Sequence, residues 1–382
     1  MRVWIQNQYD NLPCEGYRKQ RFWLMCEAFA DAGHEVVFWT SDFSHAKKER
    51  RDVIGMAGNA DRRFDVRLIP TLPYMKNVSL ARVRSHKAYA EEWFRQAATN
   101  PPPDIIISSV PSISAAETAL KLARQFGAKF VLDVQDAWPE TFERLAPVGF
   151  RWLARLLLTP LRRRARRLYR AADVVTGVCE RYRALTDRPD YYRAYLGIDL
   201  APGLRDAATR DDSSVRLVYA GNMGTSYDLK TVVAGMKLLR GEGLDVTLDV
   251  AGFGSTGDWG MAVDGVRFRG MLSQSALQEL METCDIGVIP MNADSWVGIP
   301  NKLSDYARAG LTVVSSLTGE TEALLKKYDC GATYRVGDAT SFATAVRTAR
   351  VLPRGNARKM VEAELDAARI YREYVAHVIA VV

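Results

Sequence analysis

Arg216-Leu217-Val218-Tyr219-Ala220-Gly221-Asn222-Met223-Gly224 reads as an apolar run that stops at a glycine-rich turn. A helix capped near Asp228 follows, so the stretch is strand, tight turn, helix. The unit recurs at 246–251, which ends in Gly252-Phe253-Gly254, and further apolar runs at 266–268, 286–290, 312–315 and 332–334 complete the second half of the chain. Upstream, runs at 3–6, 36–40, 66–69, 105–108, 130–134 and 174–178 alternate with amphipathic stretches such as 20–32 and 114–126. Short apolar strands alternating with helices build a parallel sheet covered on both faces. The expected fold is therefore α/β, two Rossmann-like doubly wound domains facing across a cleft. Gly197-Ile198-Asp199 opens a turn-rich stretch through Ala201-Pro202-Gly203 and Arg210-Asp211-Asp212-Ser213-Ser214, which reads as the linker. The boundaries are then 1–199, 200–357 and a C-terminal helix over 358–382. That helix, periodic from about 357 to 378 and carrying Tyr371 and Tyr374, is expected to cross back to the first domain.

The length of 382 residues is about twice what one core organises, which agrees with two domains. Hydrophobic residues at 48% and charged residues at 25% exclude a disordered or fibrous chain. The five cysteines (Cys14, Cys26, Cys179, Cys284, Cys330) are scattered and never paired as C-x-x-C, which argues against a disulfide framework and a cysteine zinc site. No apolar run approaches the roughly 18 residues of a membrane span, and the chain opens on Arg2-Val3-Trp4-Ile5 rather than a leader. A cytoplasmic protein is expected.

The net charge of +7 sits in the first half, concentrated in residues 151–170, bounded by Arg151 and Arg170, with eight arginines and no acid. Leu153, Leu156, Leu157 and Leu161 recur there at helical spacing, interrupted by Pro160. Such a segment suits an anionic membrane surface, or else packs its leucines on its own domain. No nucleic-acid-binding motif accompanies it, and nucleic acid is not expected as a partner. His34 reads as structural, and His45, His86 and His377 are isolated, so hydrolase triads, zincins and P-loops are excluded. No D-x-D marks a divalent-metal clamp, and no metal or further cofactor is expected.

Four stretches carry candidate chemistry. The turn with Gly221, Asn222 and Gly224 either offers backbone amides to an anion or is a plain turn, and Gly252 raises the same choice. Pro300-Asn301-Lys302-Leu303-Ser304-Asp305 places Lys302 in the first turn of a short helix. A cation there opposes the helix dipole unless an anion shares the site, and Asp305, one turn on, suits ribose hydroxyls; the alternative is a solvated lysine with a dipole-pairing aspartate. Gly16, in Glu15-Gly16-Tyr17-Arg18, lies in the first strand-to-helix loop, which either lets a ligand approach the backbone or is a simple loop. Asp133-Val134-Gln135-Asp136-Ala137-Trp138-Pro139-Glu140 closes a strand at the sheet's carboxyl edge, with Asp136 as a base or a helix cap.

Together these residues resemble glycosyltransferase family 4, retaining enzymes that use nucleotide sugars and have the GT-B fold. The chain is most similar to the bacterial surface-polysaccharide branch that includes aminosugar and fucosamine transferases. The matching landmarks are Gly33-His34-Glu35-Val36, 133–140, Ala172-Asp173-Val174-Val175, Gly197-Ile198-Asp199, 219–224, 266–270, 284–290 and Pro300-Asn301-Lys302-Leu303. The resemblance implies a UDP-sugar donor on the second domain. Gly221, Asn222, Gly224 and Lys302 would face the diphosphate, Asp305 the ribose, and the backbone of Met271 and Leu272 the base, while Gly252, Pro300, Asn301 and Leu303 would belong to the same nucleotide-sugar site. Gly16 would close over the phosphates. Asp136 and Lys302 would be the catalytic residues, the first domain would take a glycan or lipid-linked acceptor, and the protein would be peripheral on the inner face of the membrane. The sequence departs from the family pattern in three ways. Val297 stands where the first of two glutamates is usual and Asp305 where the second is; Asn222 and Met223 replace an Arg and a Lys; Gln135 replaces a His. Two rival readings are a nucleotide-sugar 2-epimerase of the same fold and a catalytically silent nucleotide-sugar-binding or membrane scaffold protein.

Overall fold

A computed structural model describes residues 1–51, 63–200, 214–224, 226–254 and 263–382. Most of the expected linker, 201–213, lies outside the described residues, as does Thr225. The chain divides into two compact units, Met1–Asp199 together with Ala367–Val382, and Leu200–Asp366.

In the first unit the strands are β1 (Arg2–Gln6), β2 (Glu35–Ser41), a small antiparallel hairpin β3 (Phe43–Ser44) and β4 (Glu49–Arg50), β5 (Asp65–Ile69), β6 (Ile105–Val110), β7 (Lys129–Val134), β8 (Val174–Gly177) and β9 (Tyr192–Arg193). Among the described residues, all but the hairpin form one parallel sheet in the order β5-β2-β1-β6-β7-β8-β9. Ile5 lies opposite Phe38 on one side and Ile107 on the other. Every residue of β6 is buried, which is why it opens on three consecutive isoleucines and not on an alternation. Its buried polar end is satisfied: Ser108 donates to Gln6 Oε1 at 2.6 Å and Ser109 Oγ accepts from Asn7 at 2.9 Å. Helix Arg21–Asp31 gets no cap from Gln20; the Asp10 carboxylate, from the loop after β1, accepts the Phe22 amide at 2.9 Å instead.

The second unit contains β10 (Ser214–Ala220), β11 (Asp245–Ala251), β12 (Val266–Gly270), β13 (Ile286–Ile289), β14 (Thr312–Ser315) and β15 (Gly331–Thr333), parallel in the order β12-β11-β10-β13-β14-β15. Leu217, Leu248 and Ile286 of the sheet pack with Val232 and Phe342 of the covering helices. Both sheets reverse strand order once, between β1 and β6 and between β10 and β13. Ligands of doubly wound sheets bind outside the carboxyl ends of the strands at such a reversal.

The C-terminal segment corrects one expectation. Instead of one helix over 358–382 there are two, Gly355–Glu364 and Ala367–Val381, broken at Leu365 and Asp366. The second packs on helix Arg21–Asp31, with Tyr374 6.4 Å from Phe29 between ring centroids. The Ala367 amide donates to Ile198 O at 3.0 Å, and a Cβ on Gly197 would come within 2.6 Å of Ala367 Cα. Glycine at 197 is what lets the returning chain dock.

Candidate active site

At the β10/β13 reversal, the turn after β10 and the helix Asn301–Arg308 converge. Lys302 lies in the helix's first turn. Its ammonium sits 5.3 Å from the Tyr219 ring centroid and 4.8 Å from that of Tyr227, and a Cβ on Gly221 would meet Nζ at 2.5 Å. Gly221 has φ +142°, so the turn needs glycine for its backbone as well as for the lysine above it. Among the described residues no carboxylate or other hydrogen-bond partner meets Nζ. Burial lowers the Lys302 pKa to about 8 against the opposing pull of Asp305. Pro300 gives the helix no side-chain cap and no acid occupies its first turn. A half-buried cation therefore lies against an uncapped positive helix end, an arrangement that favours a bound anion.

Aromatic side chains the sequence reading did not single out build this floor. The fully buried Tyr306 hydroxyl accepts the Ala220 amide at 2.9 Å and donates to Val288 O at 3.3 Å, tying β10 to β13. A Cβ on Gly287 would collide with the Tyr306 ring, so the glycine in β13 makes room for that tie. Tyr219 donates to Asn222 O and holds the turn closed. Burial raises the pKa of both phenols, which keeps them neutral. The sequence signal for Tyr219 was a tyrosine near the end of an apolar run, and Tyr306 had none.

The glycine turn itself is corrected. Gly221 N donates to Ala251 O at 2.8 Å, Met223 N to Phe253 O at 2.9 Å and Gly224 N to the Asn222 side chain at 2.6 Å. Three of its amides are thus engaged within the protein, and the following helix starts only at Leu229, capped by Asp228, which accepts the Thr231 amide. The helix end that faces the turn is the one at Asn301. Gly252 is glycine because a Cβ there would strike Gly221 O. Pro300 and Leu303 are buried, Asn301 is exposed, and Asp305 is intermediate. Met271 and Leu272 follow β12, with Met271 largely exposed.

In the first unit, Asp133 is not a free acid. It is fully buried and binds Arg21 through both oxygens at 2.8 and 2.9 Å, while Thr176 and Gln135 donate to it at 2.6 and 2.5 Å. Burial opposes the charge, but Arg21 outweighs it and holds the carboxyl below its usual range. Gln135 is thereby turned toward Asp133. Asp136 accepts the Ala137 amide at 2.8 Å and the Thr141 hydroxyl at 3.2 Å, and burial raises its pKa. It caps no α-helix: the turn that follows is a 3-10 helix, Glu140–Leu145, preceded by Pro139. Gly16, with φ +83°, ends the 3-10 turn Pro13–Glu15, and Glu15 pairs with the buried Arg51 at 2.7 Å.

The basic segment forms helices Arg151–Leu157 and Thr159–Ala171. The second helix buries Ala165, Leu168 and Tyr169, whereas Phe150, Trp152, Leu156 and Leu157 in and before the first are 61–70% exposed. Leu153 is 38% exposed. Among the described residues no helix is long and apolar enough to cross a membrane.

Two parallel doubly wound units, with a half-buried lysine at the strand-order reversal of the second, make a GT-B architecture. A domain model described as glycosyl transferase 4-like matches residues 19–194, and one described as glycosyl transferases group 1 matches residues 214–349. Matched in succession over most of its length by these two models, the chain belongs to the GT-B glycosyltransferases. No curated protein matches its sequence. Among solved structures it is similar to Anabaena HepE in complex with UDP and glucose, with TM-score 0.64, 13% identity and 100% of both chains covered. It is also similar to the sucrose-phosphate synthase of Thermosynechococcus elongatus, with TM-score 0.69, 13% identity and 99% and 98% covered. A third is WaaG, a glycosyltransferase involved in lipopolysaccharide biosynthesis, with TM-score 0.56, 13% identity and 98% and 95% covered.

Proposed function

We propose that this chain is a retaining hexosyl- or N-acetylaminosugar transferase that moves a sugar from a UDP-sugar to a glycan or lipid-linked acceptor in surface polysaccharide synthesis. The observation that carries the reading is Lys302: a half-buried ammonium with no anionic partner, lying between two tyrosines at an uncapped helix end. As the glycosidic bond to the diphosphate breaks, negative charge develops on the leaving phosphate, and a cation and helix amides already aimed there stabilise it without reorganising. The acceptor hydroxyl attacks from the face the diphosphate leaves, and a phosphate oxygen takes its proton. Asp305 holds the ribose, the backbone at Met271 and Leu272 meets the base, and Gly16 closes over the phosphates. The choice of uridine is supported by HepE, a protein of the same fold solved with UDP-glucose.

The protein works as a peripheral enzyme on the inner face of the membrane. Exposed Phe150, Trp152, Leu156 and Leu157 flanked by arginines support this, since apolar side chains enter the bilayer interface while each basic residue near an anionic surface adds about 1 kcal/mol.

Thermal unfolding with UDP, GDP, ADP, dTDP, CMP and NAD, each with and without EDTA, tests the donor site. Stabilisation by UDP above the others is expected, insensitive to EDTA. No shift with any nucleotide would refute it. Turnover of labelled UDP-sugar then separates the classes: transfer only with acceptor present is expected, whereas interconversion without acceptor marks an epimerase and binding without turnover a scaffold.

A further inference from the structure

The first sheet has a second unpaired cationic cluster at its carboxyl edge. Tyr9 follows β1, His45 the hairpin strand β3, Tyr74 follows β5, and Trp138 follows β7. Helix Leu80–Ala97 contributes Arg82 and His86 from its first two turns. The Arg82 guanidinium lies 5.3 Å from the ring centroid of Tyr9 and 5.2 Å from that of Trp138. Its Nη1 donates to Asn77 O at 2.8 Å, and its buried Nε has no hydrogen-bond partner. Lys48 sits 4.8 Å over the Tyr74 ring and donates to Asn77 Oδ1 at 2.6 Å. Among the described residues no carboxylate pairs with either cation.

The two histidines hold the phenols. His86 Nε2 meets the Tyr9 hydroxyl, and His45 Nδ1 meets that of Tyr74 at 2.5 Å. Burial, reinforced by the neighbouring cations, lowers His45 to about 4 and His86 to about 3. Both imidazoles are therefore neutral near pH 7 and leave the positive charge to Arg82 and Lys48. Beside the cluster, Met75, Val78, Leu80 and Val83 are 62–77% exposed.

From this placement we infer that the cluster is an acceptor subsite for a sugar phosphate, its aromatic faces taking the sugar ring and Arg82 and Lys48 the phosphate or diphosphate. This rests on the transferase reading and names its acceptor class. Partly desolvated cations without a counter-charge gain most from an anion, and clustered aromatic rings with a few convergent polar groups are what small-molecule sites are made of. The exposed apolar rim suits an alkyl or isoprenoid chain on the phosphate.

The test is calorimetric titration of the full chain, without nucleotide, using N-acetylglucosamine, N-acetylglucosamine 1-phosphate and dodecyl-diphosphate-linked N-acetylglucosamine. The phosphate-bearing sugars should bind at least about tenfold more tightly than the neutral one, the effect of a charge-assisted hydrogen bond. R82Q and K48Q should each remove that preference, while R82K retains part of it and shows that the fold survives. Equal affinity for charged and neutral sugars, an unchanged preference in R82Q, or displacement of the probe by UDP would overturn the subsite. Tighter binding of the dodecyl probe, lost in M75S/V83S, identifies a lipid carrier, and equal binding of the two phosphates a soluble sugar phosphate; either supports the subsite. UDP stabilisation measured on the same variants keeps the two readings apart. If UDP stabilises but no phosphate probe binds, only the subsite falls; if the probes bind and UDP does not, only the donor site does.

Discussion

Replacing Lys302 by methionine keeps the length of the side chain and removes its charge, so it isolates what the unpaired ammonium does. Burial takes this lysine from its ordinary 10.5 to about 8. At about 1.4 kcal/mol per pH unit, of which water around a half-buried side chain screens part, the charged form costs the ligand-free protein about 2 kcal/mol. The unfolded lysine keeps its proton up to about 10.5 and the folded one only to about 8, so the unfolded state holds more protons between those values and stability rises with pH across that window. Below pH 8 the full penalty is present. K302M should therefore raise the melting temperature of the ligand-free second unit at pH 7 by roughly 4–8 °C, and the gain should vanish by pH 10.5. The same substitution should abolish stabilisation by UDP. Wild-type binding should take up a proton at pH 8.5, read as a dependence of the calorimetric enthalpy on the ionisation enthalpy of the buffer, and K302M should not. A K302M protein no more stable than wild type at pH 7, or one still fully stabilised by UDP, would refute the reasoning.

Other substitutions separate the parts of the fold. Gly221→Ala puts a methyl where Lys302 Nζ lies and forces an alanine to φ +142°; a stability loss of about 1–3 kcal/mol and a UDP affinity at least tenfold weaker are expected by calorimetry. Arg21→Met leaves Asp133 charged, buried and unpaired, and denaturant unfolding should show a loss of about 3–5 kcal/mol, largely regained in R21M/D133L. Gly197→Ala crowds Ala367, and its cost of about 1–3 kcal/mol should appear as faster proteolytic removal of the final helix. W152S/L156S/L157S should lose most sedimentation with anionic vesicles while leaving UDP stabilisation intact; undiminished sedimentation would remove the apolar patch from membrane binding.

The central strands were legible because both sheets are parallel: buried runs such as Ile105-Ile106-Ile107 carry apolar residues in succession, and that leaves a strong trace in sequence. The hairpin Phe43–Ser44 with Glu49–Arg50 and the short β9 were not, since two residues carry no periodicity. Lys302 was legible as a cation at the wrong end of a helix dipole, a conflict visible from a single chain position. Its tyrosine cradle was not, because Tyr219 at the end of β10 and Tyr227 in the following turn meet Lys302 only through the fold, and an isolated tyrosine at the end of a strand looks like core. The tie that holds Asp133 was equally hidden: Arg21, far away in sequence, binds it through both oxygens. The glycine turn misled differently. Gly221 and Gly252 are required by close approaches, one under a lysine and one under a backbone carbonyl, and a turn that packs this tightly spends its amides on itself.

The pairing of buried cations gives the strongest reason to read the two unpaired clusters as sites. Arg21 has Asp133, Arg51 has Glu15 at 2.7 Å, and Arg354 has Asp285 at 3.4 Å. In each case the desolvated guanidinium is met by a carboxylate, because a lone buried charge is destabilising and selection for stability alone removes it. Lys302 in the second unit, and Arg82 with Lys48 in the first, escape that rule, and both lie at carboxyl edges of parallel sheets among aromatic rings. A chain that matches its buried arginines with acids elsewhere leaves these cations without a carboxylate, and this supports the two proposals made above: the donor's diphosphate as counter-charge at one edge and the acceptor's phosphate at the other.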